Sequence, residues 1–230
     1  MNSVVRYILA LTALVAVFAP QPEARAQQAE DGTITIVQPK PVLRRQRVEF
    51  IPRASYTLND PYTIQVGAGA SLYYNISERL SLGPTFEWFN FGPKVSGTTQ
   101  RYDEVIDTTA QVPEYVLLDW YAGLDVSFIP AYGKFLLFRR TVVYFDVYAT
   151  LGAGVVTNSH GDLSPAGALA LGTRAYFNKW LGIHLELRDR ISSQELPSGN
   201  RVWNTVTAMI GFNILLPFNF RYTYAEEGGQ

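Results

Sequence analysis

The 230-residue sequence has no cysteine, two histidines and only 17% charged residues. Without cysteine the chain has no disulfide framework, no thiolate metal site and no cysteine nucleophile. Its formal net charge is −1 and no basic run reaches five residues, so the sequence predicts no nucleic-acid partner. It also has no apolar run of the roughly 20 residues that a transmembrane helix needs. Any membrane span of the mature chain must therefore consist of paired strands.

The first 26 residues have the order of a secretory signal peptide. Arg6 precedes a 13-residue apolar stretch, residues 7–19, and an Ala-Arg-Ala sequence at residues 24–26 resembles a cleavage site. Thirteen residues are too few to span a bilayer. We predict cleavage before Gln27 and export from the cytoplasm; an uncleaved anchor is the alternative interpretation.

The rest of the chain alternates apolar and polar residues over long stretches, which is typical of strands with two different faces. Runs of nine or more residues suit tilted strands that cross a bilayer better than ordinary soluble strands. Eight strands are predicted, an even number as bacterial barrels require. They lie near residues 48–57, 63–76, 80–91, 115–129, 142–156, 167–177, 181–191 and 204–216.

The predicted fold is an eight-stranded, antiparallel, up-and-down transmembrane β-barrel. A soluble barrel of lipocalin type has the opposite polarity, apolar inside and polar outside. Here the non-apolar face is rich in glycine, serine, threonine and tyrosine, which suits a narrow lumen better than a solvated coat. The connectors also favour a membrane barrel, because short turns at residues 77–79 and 178–180 share one end, and longer loops at residues 92–113, 157–165 and 192–203 share the other. Two connectors fit less well: residues 58–62 form a short outer loop, and residues 130–141 form a long inner one.

The polar face carries a set of charged residues that we predict to fill the lumen. Six are acidic and four are basic: Glu49, Arg53, Glu87, Asp119, Asp125, Asp146, Arg174, Glu186, Arg188 and Arg190. Because an unpaired buried ion costs several kcal/mol, these charges must pair. We therefore expect a plugged interior and no diffusion pore.

Three stretches carry a resemblance to a known family. TITIVQPKPVLRRQRVEFIPRASYTLNDPYTIQVGAGASLYYNISERLSLG (residues 33–83), with the later YGKF and VVYFDVYATLGAGVV, resembles the outer-membrane beta-barrel domain family of myxobacteria and relatives. That family includes barrel subunits of the adventurous gliding-motility apparatus. The resemblance covers residues 33–217 and implies an outer-membrane barrel without catalytic residues to transfer.

Some small barrels are lipid-modifying enzymes that use histidine with serine and an acid. His184 and Glu186 share the predicted lumen face, and His160 lies near a serine and an aspartate in an outer loop. A satisfied lumen network and a polar turn explain both without catalysis. We predict no enzyme activity, cofactor or metal site; the alternatives are a lipid-modifying enzyme and a narrow solute channel.

The mature chain divides into an arm at residues 27–47, a barrel at residues 48–216 and a C-terminal periplasmic tail at residues 217–230. The arm and the periplasmic connector at residues 131–140 are candidate contacts for envelope proteins or phospholipid head groups. A disordered leader and a locally packed plug are the alternatives. The basic partner-binding candidates are Lys40, Arg44, Arg45, Arg47, Arg139 and Arg140. The predicted function is a noncatalytic outer-membrane anchor within an envelope complex of a Gram-negative bacterium, plausibly one for gliding motility, in contact with outer-membrane lipids.

Overall fold

The computed structural model describes residues 42–91, 96–110, 112–137, 141–159, 161–196 and 199–218. The predicted signal peptide, most of the predicted arm and most of the tail lie outside these residues. Within the described ranges, no helix is long and apolar enough to cross a membrane.

Ten strands and one helix make up the described chain. The strands are β1 (Val48–Thr57), β2 (Thr63–Ile64), β3 (Val66–Asn75), β4 (Leu80–Trp88), β5 (Gly97–Thr98), β6 (Leu118–Leu137), β7 (Thr141–Asn158), β8 (Leu163–Tyr176), β9 (Leu181–Leu196) and β10 (Gly199–Leu216). The helix α1 (Gln100–Thr109) lies between β5 and β6.

Eight of these strands form a closed antiparallel barrel in the order β1, β10, β9, β8, β7, β6, β4, β3. β1 closes the ring by pairing with β10 on one side and with β3 on the other. Short β2 and β5 pair with each other outside the ring. The predicted eight-stranded, up-and-down antiparallel barrel is confirmed.

The register of the strands sets the width of the barrel. Val48 pairs with Leu216 of β10 on one side. Following the cross-strand pairs from Val48 in the other direction, through all the strands of the ring, leads back to β10 at Val206, ten residues from Leu216. A stagger of ten over eight strands corresponds to a strand tilt of about 40°, within the range of closed barrels. A ring of this size leaves room inside for side chains only.

The barrel is apolar outside and polar inside, as the composition predicts. Along β1 the side chains alternate strictly, so that Glu49 and Arg53 are buried while Phe50 and Tyr56 are exposed. The same polarity holds around the ring, where the exposed side chains include Leu72, Phe86, Leu124, Leu151, Leu171, Leu187 and Ile210. An apolar coat around a polar interior is the polarity of a barrel embedded in lipid.

Aromatic residues mark the two ends of this coat. At the end where β1 begins, called the terminal end below, the rings of Trp180 and Phe218 lie 5.0 Å apart. At the opposite end, called the loop end, Trp88 and Trp120 face each other across β4 and β6. Trp120 therefore lies at the loop end together with Trp88.

Three segments predicted as connectors contain regular structure. β6 and β7 continue pairing beyond the barrel to Leu137 and Thr141, through a stretch predicted as a long inner connector. β9 and β10 likewise extend as a hairpin to Leu196 and Gly199 at the loop end. The long outer loop contains α1, of which no residue is fully buried.

An arginine on the outside of the barrel tests whether the coat lies in lipid. Leu124 and Leu136 both lie on β6 and are 62% and 58% exposed, but only Leu124 lies within the ring of strands. We expect Leu124→Arg to lower the free energy of unfolding in lipid vesicles by about 2–4 kcal/mol, and Leu136→Arg to lower it by less than about 1 kcal/mol. Urea titration monitored by heat-modifiable gel migration measures both. Equal effects would contradict the membrane placement.

Candidate functional site

The interior of the barrel holds the densest cluster of ionisable side chains in the described chain. Nine of the ten residues predicted to fill the lumen are buried there, and the exception is Asp119. Asp119 is only partly buried because the register of β6 and β7 shifts between Leu118 and Trp120, which interrupts the alternation that the sequence interpretation assumed. Its placement in the lumen network is corrected on that ground.

At the terminal end the network is organised around Glu49. Its carboxylate accepts a bond from Arg44 at 2.5 Å and one from Asn213 at 2.8 Å, and Arg174 lies 3.7 Å away. Arg44 also donates to Asp146 at 2.6 Å. Two buried carboxylates are thus shared between two buried guanidinium groups.

In the middle of the lumen Arg188 joins two further acids. Its Nε atom donates to Glu186 and its Nη2 atom donates to Asp125, both at 2.7 Å. The hydroxyl of Tyr148 donates to the second oxygen of Glu186 at 2.6 Å, and that of Tyr73 donates to Asp125 at 3.0 Å. Both acids are therefore held by charge-assisted bonds from several strands.

Towards the loop end, Glu87 lies between Arg53 and Arg190. Arg53 Nη2 is 2.8 Å from Glu87 Oε1, and Arg190 donates to the other carboxylate oxygen. The guanidinium of Arg190 also lies over the ring of Tyr121, 4.9 Å from its centroid. Aromatic faces stabilise such a cation where water is excluded.

Glycines make room for the tyrosines that cross the lumen. A Cβ atom on Gly172 would lie 2.2 Å from the hydroxyl of Tyr148, and one on Gly123 would lie 2.4 Å from the hydroxyl of Tyr121. Neither contact is possible, so any larger residue would displace a tyrosine. The glycines of the polar face therefore leave the space that these tyrosine rings occupy.

The loop end of the lumen is covered by an apolar cluster. Its buried members are Phe89, Val116, Leu118, Tyr121, Val156, Ala166 and Ala168. Trp203 is partly buried and packs against this cluster. The cluster separates Arg190 and Glu87 from the loops.

The terminal end is closed by residues that precede β1. The backbone at Gln46 is left-handed, with φ of 61°, and this turn directs Arg44 into the lumen. Arg47 donates to the carbonyl oxygens of four residues, Leu43, Lys179, Leu215 and Pro217. Val42 packs against Tyr176 and Leu215.

These contacts correct two of the predicted partner-binding residues. Arg44 and Arg47 are 3% and 2% exposed, so their guanidinium groups bind this chain and not a partner. Arg45 is exposed, and its backbone N–H donates to Glu78 at 2.9 Å. Lys40, Arg139 and Arg140 lie outside the described residues.

Arg44 is the member of the network that the sequence interpretation missed. Six acids against four bases left an excess of negative charge in a sealed lumen. With Asp119 removed and Arg44 added, the ion-paired network of the described interior has five carboxylates and five guanidinium groups, and the further buried guanidinium of Arg47 binds carbonyl oxygens instead. The predicted excess of acidic residues was the signal that pointed to Arg44, because a buried excess of negative charge requires a cation from outside the predicted strands.

The histidine considered as a catalytic base is enclosed in the same network. His184 is fully buried, its ring stacks on Tyr148 with centroids 5.6 Å apart, and its Nε2 atom is 3.5 Å from Glu186. A lipid outside the barrel has no route to this ring. His160 lies outside the described residues, and the described chain contains no group of His, Asp and Glu that could hold a metal ion.

Arg44 and Arg45 offer a matched comparison between a buried arginine of the lumen network and an exposed arginine. Arg44→Gln leaves Glu49 and Asp146 short of a buried cation, so we expect it to lower the free energy of unfolding by about 3–5 kcal/mol. Arg45→Gln changes an exposed group and is expected to cost less than about 1 kcal/mol. Urea unfolding of the refolded barrel in vesicles measures both. Similar small losses would mean that Arg44 does not hold the network together.

Comparison with known proteins gives likenesses in fold only. No protein-family model matches the chain, and no curated protein matches it. Among solved structures, it is similar to a de novo designed transmembrane β-barrel, with 14% identity and a TM-score of 0.38 over 78% of this chain and 100% of that one. Neisserial surface protein A matches with 11% identity and a TM-score of 0.37, over 74% and 97% of the two chains. Ail, the attachment invasion locus protein of Yersinia pestis, matches with 14% identity and a TM-score of 0.33, over 75% and 99%.

Proposed function

We propose that this chain is an outer-membrane β-barrel that serves as a noncatalytic anchoring subunit of an envelope complex. The observation that carries the proposal is the pairing of an apolar outer coat with an interior filled by paired charges. A coat of this kind is stable only in lipid, and such an interior leaves little space for a solute. What remains for function is the outer surface and the two ends.

The terminal end carries a projection suited to protein contact. The last pair between β4 and β6 is Leu80 with Phe128, but β6 and β7 remain paired as far as Leu137 and Thr141. This projecting hairpin, residues 131–137 with residues 141–143, reaches beyond the neighbouring strands. We place it in the periplasm, since bacterial outer-membrane barrels have their chain termini on that side.

The projecting hairpin exposes apolar side chains outside the coat. Leu136 and Val142 face each other across its two strands and are 58% and 43% exposed, and Phe135 is 44% exposed. Apolar groups that face water rather than lipid favour burial against another protein. A gliding-motility machine is the kind of complex that the sequence resemblance suggests, and the hairpin supports an anchoring role in such a complex.

The closed interior predicts that the barrel does not conduct ions. We expect the purified barrel, inserted in planar bilayers, to show no open-channel current steps, because paired charges block the lumen and the apolar cluster covers one end. Insertion is verified in parallel by heat-modifiable migration of barrel refolded in vesicles of the same lipid. Discrete conductance steps from inserted protein would favour a solute channel instead.

Polar substitutions on the hairpin test the anchoring role. We expect Leu136→Asn with Val142→Thr to reduce co-purification of envelope partners by about tenfold, the effect of losing about 1.4 kcal/mol of binding free energy. Tagged full-length protein is extracted in mild detergent, and co-purified proteins are quantified by mass spectrometry.

The control places the same substitutions at the other end of the barrel. Leu163 and Val202 are 62% and 74% exposed at the loop end, so Leu163→Asn with Val202→Thr makes the same substitutions at side chains that are more exposed than the hairpin pair. We expect this variant to retain the partners. Absence of stoichiometric partners from the wild-type sample, or equal loss in both variants, would contradict anchoring through the hairpin.

A further inference from the structure

One carboxylate lies on the apolar outside of the barrel. Asp189 projects from β9 between Leu187 and Ile191, which are 54% and 44% exposed, and its cross-strand neighbours are Leu169 and Val206. Ionisable groups on a lipid-facing surface are costly, so their presence indicates a function and a partner. Among the described residues, the ion pairs include no cation for Asp189.

Asp189 belongs to a short polar chain near the loop end. The amide of Asn204 donates to Asp189 Oδ1 at 2.6 Å. The amide of Asn59 in turn donates to Asn204 Oδ1 at 3.0 Å, and Asn59 Oδ1 accepts the backbone N–H of Val206 at 2.9 Å. These bonds hold the carboxylate in place but leave its negative charge without a counter-ion from the described chain.

An apolar furrow lies on the same side of the barrel, nearer the middle of the coat. β1 and β3 present only Pro52, Ala54 and Ala68 along its floor, whereas Ile210 and Phe212 of β10 form one wall. Its volume is about 520 Å³. Cavities of this size hold small-molecule ligands.

The register joins the furrow to the carboxylate. Val206, which faces Asp189, precedes Ala208 and Ile210 on the same face of β10, and Ile210 faces Ala54 on the furrow floor. Four residues of strand correspond to about 13 Å. Ala208 is small, and its cross-strand neighbours Tyr56 and Leu187 lie on either side of the path between the two features.

We propose that this surface binds one membrane lipid, with an acyl chain in the furrow and an amine-bearing head group at Asp189. The proposal rests on the membrane placement of the barrel, because that placement makes hydrocarbon the medium in contact with the furrow. An ammonium group supplies the positive charge and the hydrogen-bond donors that Asp189 lacks. A head group whose only charge is a phosphate is repelled at the same position.

Lipid retention by the purified barrel tests the proposal. The full-length protein is refolded, exchanged into mild detergent, and incubated with phosphatidylethanolamine, phosphatidylcholine or phosphatidylglycerol at equal concentration, and bound lipid is counted by native mass spectrometry. We expect one phosphatidylethanolamine per barrel, retained about tenfold better than phosphatidylglycerol. Phosphatidylcholine, whose ammonium has no N–H donor, is expected to be retained less well than phosphatidylethanolamine.

Two variants separate the head-group site from the furrow. Asp189→Asn keeps the size and removes the charge, so the preference for phosphatidylethanolamine is expected to disappear. Ala54→Leu fills the furrow and is expected to reduce retention of all three lipids, whereas Ala153→Leu places the same side chain outward on the opposite wall, in β7, and is expected to change nothing.

The possible results test the lipid site separately from the membrane placement of the barrel on which it rests. Failure of the wild-type barrel to fold into vesicles would overturn the membrane placement itself. A wild-type barrel that folds but retains the three lipids equally would overturn the lipid site alone. An Asp189→Asn variant with unchanged preference would overturn the head-group assignment, and equal effects of Ala54→Leu and Ala153→Leu would overturn the furrow.

Discussion

Charge balance inside a narrow ring is the constraint on which the rest of this structure depends. A ring of only eight strands has an interior too small for bulk water, so each carboxylate there must meet a cation supplied by the chain. The strands alone supply four arginines for five acids. The fifth, Arg44, precedes the first strand, and the left-handed turn at Gln46 brings it inside. The segment before β1 is therefore part of the barrel interior.

The two ends are closed by different chemistry. At the terminal end Arg44 and Arg47 bind carboxylates and carbonyl oxygens, whereas at the loop end an apolar cluster with Trp203 covers the network. His184 and Arg188, which lie between these two ends, are fully buried. A barrel closed in this way interacts with its surroundings through its outer coat, its loops and its projecting hairpin.

Alternation of apolar and polar residues predicted the barrel, its polarity and most of the lumen charges, because the period of two assigns every side chain to a face once a strand is recognised. It failed where the period is interrupted, as at Asp119, or where pairing continues without it, as beyond Pro130. It could not place the side chain of Arg44, because the period of two assigns a side chain to one face of the sheet only within a strand. The helix α1 lies in a segment that the sequence interpretation treated as a loop, and none of its residues is fully buried.

Departures from the uniform coat are where specific contacts become possible. A barrel that needed only to remain in lipid would have no reason to expose Asp189 or to lower its outer surface around Ala54. Both features lie on the strands next to the closure of β1 with β10, whereas the projecting hairpin extends from β6 and β7 on the opposite wall. A partner at the hairpin and a lipid at the closure can therefore be bound at the same time. The stable interior makes this arrangement possible, because neither contact requires the charge network to open.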